Sequence, residues 1–235
     1  MIMEIAVISD LHLGSKDITD QFGHDDYEFS KFLMYLESNF EKIILLGDIY
    51  EGLMPRSYNN FNITSCINSH KEITNRFSLP KYNYIYGNHD FMTKNILNTT
   101  EELYLNTDNQ KILFTHGHQY DHLIINNRIL SELGIWLGGW IIRLGLEPLY
   151  KLFAYIENVY GCDGLAHIKS KFEELAIHSA HQKNADIIVT GHTHNAGKVE
   201  YGSKLYLNSG TCSEGSISFL SIDTKKGNYN TNYCW

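Results

Sequence analysis

The feature that most restricts this chain is a recurrence. Five times an apolar run stops abruptly at a short motif built from Gly, Asp, Asn and His. The motifs, in order, are Asp10-Leu11-His12, Gly47-Asp48, Gly87-Asn88-His89-Asp90, His116-Gly117-His118 and Gly191-His192-Thr193-His194. The runs before them, Met3–Ile8, Lys42–Leu46, Tyr82–Tyr86, Lys111–Thr115 and Asp186–Thr190, read as buried β-strands. Helical patterns lie between. Asp26–Ser38 carries Phe29, Phe32, Leu33 and Leu36 at three-to-four spacing, and Thr64–Phe77 is a weaker case. Strand, ligand loop, helix, strand is the layout of an α/β sheet whose site gathers at the carboxyl ends of its strands. After residue 197 the pattern changes. Lys198–Tyr201, Leu205–Asn208 and Ser216–Ile222 read as antiparallel strands joined at Gly202-Ser203 and Ser209–Gly215. Two sheets are expected, the second largely antiparallel.

A chain of 235 residues with 43% hydrophobic and 20% charged residues can fill one large α/β domain. Three prolines and the absence of a Gly/Ser-rich stretch leave no evident linker, so one domain with one insertion is expected. The formal net charge of −8 argues against a long nucleic acid as partner, because such binders carry a basic stripe. Bound divalent ions would still make the field at a metal site locally positive. Cys66, Cys162, Cys212 and Cys234 lie far apart, and a disulfide framework is not expected. Met1–Ile8 includes Glu4 and runs straight into the first motif, which leaves no room for a signal peptide, and a cytoplasmic protein is expected.

The stretch 121–183 departs from the strand grammar. It is helical in pattern and holds Ile135, Trp136, Leu137, Trp140, Ile141, Ile142, Leu144 and Leu146, with no charge between Glu132 and Arg143. The run is too short for a transmembrane helix, which needs about 20 apolar residues. Two readings stay open. One is a helical pair packed on the core or on a second subunit, giving a homodimer. The other is an apolar cap over the site, receiving a greasy substrate and touching a membrane surface peripherally.

The motif residues are chemically coherent. Hard carboxylate oxygens with imidazole nitrogens suit Mn²⁺, Fe²⁺ or Zn²⁺. A lone Asp-x-His or His-x-His usually marks an exposed loop or a satisfied core histidine; five such elements, each at a strand end, are not explained that way. Their order resembles the calcineurin-like metallophosphoesterases. That resemblance, running from Asp10 to His194, implies a four-layer αββα sandwich of two mixed sheets and a hydrolase using two divalent ions, Mn²⁺ first among them. Carried over by position, it implies one metal held by Asp10, His12 and His194, and another by Asn88, His116 and His192. Asp48 would bridge them, His89 would be the catalytic histidine and Asp90 its orienting carboxylate. Two divalent ions about 3.5–4 Å apart can clamp a phosphate for in-line attack by water. Against Asp10, Asp48 and a hydroxide they leave an excess of positive charge, which the neutral Asn88 preserves.

Finer features are similar to the UDP-2,3-diacylglucosamine hydrolases. These are Ser9–Leu13, Gly47–Glu51, Gly87–Phe91, Ser213–Ser216 and the helical insertion after the fourth motif. That branch carries Arg where this chain has His89, Asp where it has His118, and Arg-Pro where it has Asn195-Ala196. The expected substrate is a phosphodiester or pyrophosphate with an apolar part, such as a lipid-linked nucleotide. A soluble nucleotide or nucleic-acid phosphodiesterase is the first rival, and a metal-stabilised protein-interaction scaffold is the rival of another class. Retention of His89 and Asp90 weighs against the scaffold. His118 and His122 are candidates to line the pocket, His178 and His181 are read as one solvated or core face, and Arg128, Arg143 and Lys169 are candidate phosphate partners.

Overall fold

The computed structural model describes residues 3–54, 60–108, 110–146, 148 and 171–233, with backbone alone at 60–61, 122–123 and 125–131. Its strands are β1 (Glu4–Ile8), β2 (Lys42–Leu46), β3 (Tyr82–Ile85), β4 (Glu102–Asn106), β5 (Lys111–Thr115), β6 (Ile187–Thr190), β7 (Gly197–Tyr201), β8 (Lys204–Asn208), β9 (Ser218–Asp223) and β10 (Asn228–Tyr233). The helices are α1 (Asp26–Asn39), α2 (Asn60–Ser69), α3 (Lys71–Thr74), α4 (His122–Arg143) and α5, over residues 171–182.

The strands form two five-stranded mixed sheets, β10-β9-β1-β2-β3 and β4-β5-β6-β8-β7. Alternation along the strands builds three apolar layers. From β1 and β2, Ile5, Val7, Ile44 and Leu46 point between the sheets, where Ile112, Phe114, Ile187 and Val189 meet them from the second sheet. The intervening Ala6, Ile8, Ile43 and Leu45 point outward to Phe29, Phe32, Leu33 and Leu36 of α1. On the far side, Leu113, Ile188 and Tyr206 pack on Phe172, Ala176 and Ala180 of α5. Helix, sheet, sheet, helix is therefore the order of layers. Helix α1 starts where Asp25 caps it, its side chain accepting from the amides of Tyr27 and Glu28.

The second sheet is mixed, not largely antiparallel. Its middle pairs, β5–β6 and β6–β8, are parallel, and only the edge pairs β4–β5 and β8–β7 are antiparallel. The strands after residue 197 also divide. The β7–β8 hairpin completes the second sheet, whereas β9 returns to pair antiparallel with β1 and takes β10 with it. The weak helical pattern at 64–77 resolves into α2, α3 and a 3₁₀ turn at Arg76–Ser78. His70 interrupts it, its backbone leaving the helical region at φ −119° and ψ 44°. Its buried ring is held from both sides, by Asp26 Oδ1 at 2.8 Å and Asp20 Oδ2 at 3.1 Å.

Helix α5 belongs to the outer layer although it falls within the stretch 121–183. Over the strand ends stands α4. Gly139 packs so closely on the Met54 carbonyl that a Cβ there would lie 2.7 Å from it. Arg143 donates to that carbonyl at 2.6 Å, and to Asp17 Oδ2 and Thr19 Oγ1 at 3.0 Å each. It is therefore a strut between α4 and two loops, which corrects its reading as a phosphate partner. The side chain of Arg128, and Lys169, lie outside the described structure.

Candidate metal centre

The five motif loops converge because the backbone continues to pair beyond the strands. After β1 and β2 the amides of Asp10, His12 and Leu13 donate to the carbonyls of Gly47, Asp48 and Ile49. In the second sheet the Gly191 amide donates to His116 O at 3.0 Å. Five motif residues, Asp10, His12, Asp48, His192 and His194, adopt left-handed backbone with φ between 50° and 66°. Asp and His are among the residues that tolerate this region best, and such strain concentrates at functional sites. Two motif glycines are required by close approach. A Cβ on Gly87 would sit 2.2 Å from Asp48 Oδ1, and one on Gly47 would sit 2.4 Å from the His116 ring.

Asp10, His12 and His194 present one ligand atom each within 4.8 Å of one another, and Asp48, His116 and His192 do the same. Within these groups His194 Nε2 lies 3.3 Å from Asp10 Oδ1, and His116 Nε2 lies 3.1 Å from Asp48 Oδ2. Asn88 follows Gly87, which is wedged against Asp48 and His116. Four of the atoms aimed inward, Asp10 Oδ1, His12 Nε2, Asn88 Oδ1 and His116 Nε2, are buried without a well-formed hydrogen bond, Asp10 Oδ1 and His116 Nε2 having only the ion-pair neighbours just named. Buried polar atoms are rarely left so, and four of them on oxygen and nitrogen donors are what cations would satisfy. The residues fit divalent metal ions.

The outward atoms are engaged. Asp10 Oδ2 accepts the His192 amide at 3.1 Å, and His116 Nδ1 donates to Leu46 O at 2.8 Å. His12 Nδ1 lies 3.1 Å from Glu51 Oε2, and His192 Nε2 lies 2.9 Å from Asp121 Oδ2. Ligand histidines held at the second nitrogen present the first in a fixed direction.

His89 sits beside this group, its ring edge-on to His12 at 4.7 Å between centroids. Its amide donates to Asp48 Oδ1 at 2.8 Å, and its Nδ1 lies 2.8 Å from Glu51 Oε2. Burial works against its charged form, but the carboxylates of Glu51 and Asp48 prevail and push its pKa up to about 10; bound cations would act in the opposite sense. Burial also opposes ionisation of Asp48, and His116, His89 and His12 outweigh it, holding the carboxyl well below its usual range.

Asp90 does not orient His89. Its carboxylate accepts from the amides of Ile49, Tyr50 and Gly87 and from the Tyr84 hydroxyl, so it fastens the second motif loop to the third. Glu51 takes the orienting place. Its Oε2 serves His89 and His12, while Oε1 accepts from the amides of Leu53 and Met54. Glu51 and Asp121 carry no signal of their own in the sequence, since a lone carboxylate off a motif looks like any loop charge. Glu51 was visible only as the fifth residue of Gly47–Glu51. His118 opens the 3₁₀ turn His118–Tyr120, its ring 5.7 Å from that of His116. His178 and His181 are on the exposed side of α5.

The cleft leading to the metal ligands has a volume of about 230 Å³. It is lined by His12, Asp48, His89, His192 and His194 with Gln21, and on its apolar side by Met54 and Ile135. Beyond it Leu133 and Leu137, one helical turn apart on α4, are 46% and 47% exposed. No helix among the described residues is long and apolar enough to cross a membrane.

Residues 3–196 match the family model for Calcineurin-like phosphoesterase. A UDP-2,3-diacylglucosamine hydrolase of Blochmanniella pennsylvanica is 29% identical over 216 residues, covering 82% of this chain and 79% of its own. Among solved structures, Yfce, a phosphoesterase from E. coli, overlaps 98% of each chain at 14% identity and a TM-score of 0.47. A Vps29 double mutant from Entamoeba histolytica overlaps 99% of this chain and 98% of its own at 15% identity and a TM-score of 0.49.

Proposed function

The chain belongs to the calcineurin-like phosphoesterases and is a metal-dependent phosphoester hydrolase, and we propose that it works with two divalent ions, Mn²⁺ by preference, on a phosphodiester or pyrophosphate with an apolar part. Three ligand-spaced groups occur among the described residues. His12, Glu51 and His89 share His12 with the group of Asp10 and His194 and are closed by their own hydrogen bonds. The observation that carries the two-ion reading is therefore the other two groups, each with a buried ligand atom that lacks a well-formed hydrogen bond. Asp10, His12 and His194 would hold one ion; His116, His192 and Asn88 would hold the other, with Asp48 between them. When bound, the ions supply Lewis acidity, drawing charge from phosphate oxygens and making water nucleophilic at neutral pH.

The remaining work falls to side chains of this chain. Asn88 ligates without adding negative charge, so the centre keeps its attraction for an anionic phosphate. His89, held at Nδ1 by Glu51, has Nε2 left to deliver a proton to the leaving oxygen, an assistance typically worth 10²–10⁴-fold. Met54 and Ile135 give the departing or remaining group an apolar wall. The similarity to a UDP-2,3-diacylglucosamine hydrolase and the exposed leucines of α4 support a lipid-linked substrate, met at a membrane surface.

Phosphorus NMR of the Mn²⁺-loaded protein, offered an acylated sugar nucleotide and a bis-aryl phosphodiester together, tests the substrate class. Preferential cleavage of the acylated pyrophosphate is expected. Cleavage of the diester alone would move the search to soluble nucleotides. His89→Ala should retain its metal and lose about 10²-fold or more in kcat. Unchanged turnover would remove His89 from the chemistry, and absence of turnover in the wild type on every ester tried would favour a scaffold.

A further inference from the structure

Three of the ligand imidazoles, His12, His116 and His192, have their second nitrogen held, but the holders differ in kind. His116 is held by Leu46 O, a β2 carbonyl, and His12 by Glu51, on the loop that follows β2. His192 is held by Asp121, at 2.9 Å from Nε2. Asp121 belongs to neither sheet. It closes the 3₁₀ turn His118–Tyr120, with extended backbone at φ −78° and ψ 119°, and helix α4 begins at the next residue. One ligand of the centre therefore takes its orientation from the root of the insertion.

Packing cannot replace that hydrogen bond. The His192 ring stacks on Phe172 at 6.0 Å and 21°, and meets His116 edge-on at 5.2 Å. These contacts fix the plane of the ring. They do not fix which edge faces inward, because a half-turn about the Cβ–Cγ bond keeps the ring plane and the stacking while exchanging nitrogen for carbon on each edge. Only a partner that distinguishes nitrogen from carbon selects the orientation. Asp121 is that partner, and with Nε2 engaged, Nδ1 is the nitrogen available to an ion.

We propose that Asp121 is a positioning residue that couples the His116–His192 metal site to the first turn of α4, so that an ion in this site and an ordered insertion favour each other. The opposite end of the helix is tied to the centre independently. Arg143 holds the Met54 carbonyl, and the Met54 amide is held by Glu51, which holds His89. Helix α4 is thus anchored at both ends to residues that orient site histidines, and Ile135 of the cleft wall lies between the anchors. The coupling is reciprocal by linkage: whatever weakens the root weakens the ion, and removal of the ion loosens the root.

The proposal rests on the two-ion reading, and the experiment separates them. Metal-free wild type, Asp121→Ala and Asp121→Asn are titrated with Mn²⁺ by calorimetry, and amide hydrogen exchange over 122–143 is followed with and without the ion. Wild type should bind two ions and gain protection in the first turns of α4. A wild-type stoichiometry of one ion or none would remove the two-ion reading. Asp121→Ala should keep one site at wild-type affinity, lose about 10–100-fold at the other, and lose the ion-dependent protection. Asp121→Asn, whose amide oxygen still accepts from Nε2–H, should recover most of both. Two wild-type sites in Asp121→Ala, or no recovery in a folded Asp121→Asn, would overturn the role of Asp121. Loss of one site with protection unchanged would overturn the coupling to α4.

Discussion

Glu51 receives two imidazoles on one oxygen and two backbone amides on the other, all of them buried except the His89 ring, which is partly open to solvent. Burial alone would raise its pKa, but His89 and His12 more than reverse this and hold it well below the usual carboxylate range, so it stays anionic. Glu51→Gln keeps the volume and the oxygen facing Leu53 and Met54, yet turns an amide N–H₂ toward two histidine nitrogens. At saturating Mn²⁺ we expect kcat to fall by about 10²-fold with KM little changed, because the lost element is the aim of His89. Steady-state rates across a Mn²⁺ series would check it, and an unchanged kcat would leave the geometry of His89 to packing alone. The seven proposed ligands were legible in sequence because each sits in a motif at a strand end, where position carries information. Glu51 and Asp121 were not, because what singles them out is contact across 38 and 71 residues of chain. Asp90 misled for the same reason. Adjacency to His89 suggested a partner, while its backbone location turned the carboxylate toward three amides and a tyrosine.

At the scale of elements, apolar spacing served well where one face is buried. Alternation in β1 and β2 and the 29, 32, 33, 36 stripe of α1 correspond to residues sealed from solvent. It served badly where burial is partial. Strand β4 alternates half-buried Leu103 and Leu105 with exposed Tyr104 and Asn106, and β10 is an edge strand of asparagines, a residue poor in β-propensity. The break between α2 and α3 has a different cause, the clasp on His70. Burial lowers the pKa of His70, but the hydrogen bonds and charges of Asp20 and Asp26 overcome this and raise it above 6.5. Asp26 also carries Lys16 at 2.6 Å, and the edge of Phe22 closes the ring's environment. Because the folded value is above the unfolded one, the clasp contributes fully below about pH 6.5 and is lost as pH rises through the raised value. The thermal midpoint should therefore drop across that window in the wild type and drop less in His70→Asn. Parallel pH profiles for the two proteins would show that the clasp contributes nothing through its charge.

The molecule as a whole places its site on a seam. Asp10, His12, Asp48 and Asn88 come from the ends of β1, β2 and β3 in one sheet, and His116, His192 and His194 from the ends of β5 and β6 in the other. Elsewhere the sheets are joined by apolar burial between their faces. This division was not readable from the pattern of strands, since a strand's sheet is decided by which neighbour it finds. β9 lies over two hundred residues from its partner β1, and no local signal separates it from the β7–β8 hairpin just before it. The consequence is energetic. At the seam Asp10, Asp48, Glu51 and Asp90 are all buried together, and their mutual repulsion is relieved by histidines and, on our reading, by cations. Ions that bind only when both sheets are in register must stabilise the folded chain by mass action. The gain is about 2.7 kcal/mol for each site at a free ion concentration a hundred times its Kd. For a chain of this size that is a rise of roughly 5–10 °C in Tm per site. Thermal unfolding of chelator-stripped protein over a Mn²⁺ series should show Tm climbing with the logarithm of free ion once it exceeds Kd. The slope should be halved in a variant that has lost one site. A Tm indifferent to Mn²⁺ would mean that the seam holds without cations, and that the poorly bonded atoms of Asp10, His12, Asn88 and His116 are satisfied some other way.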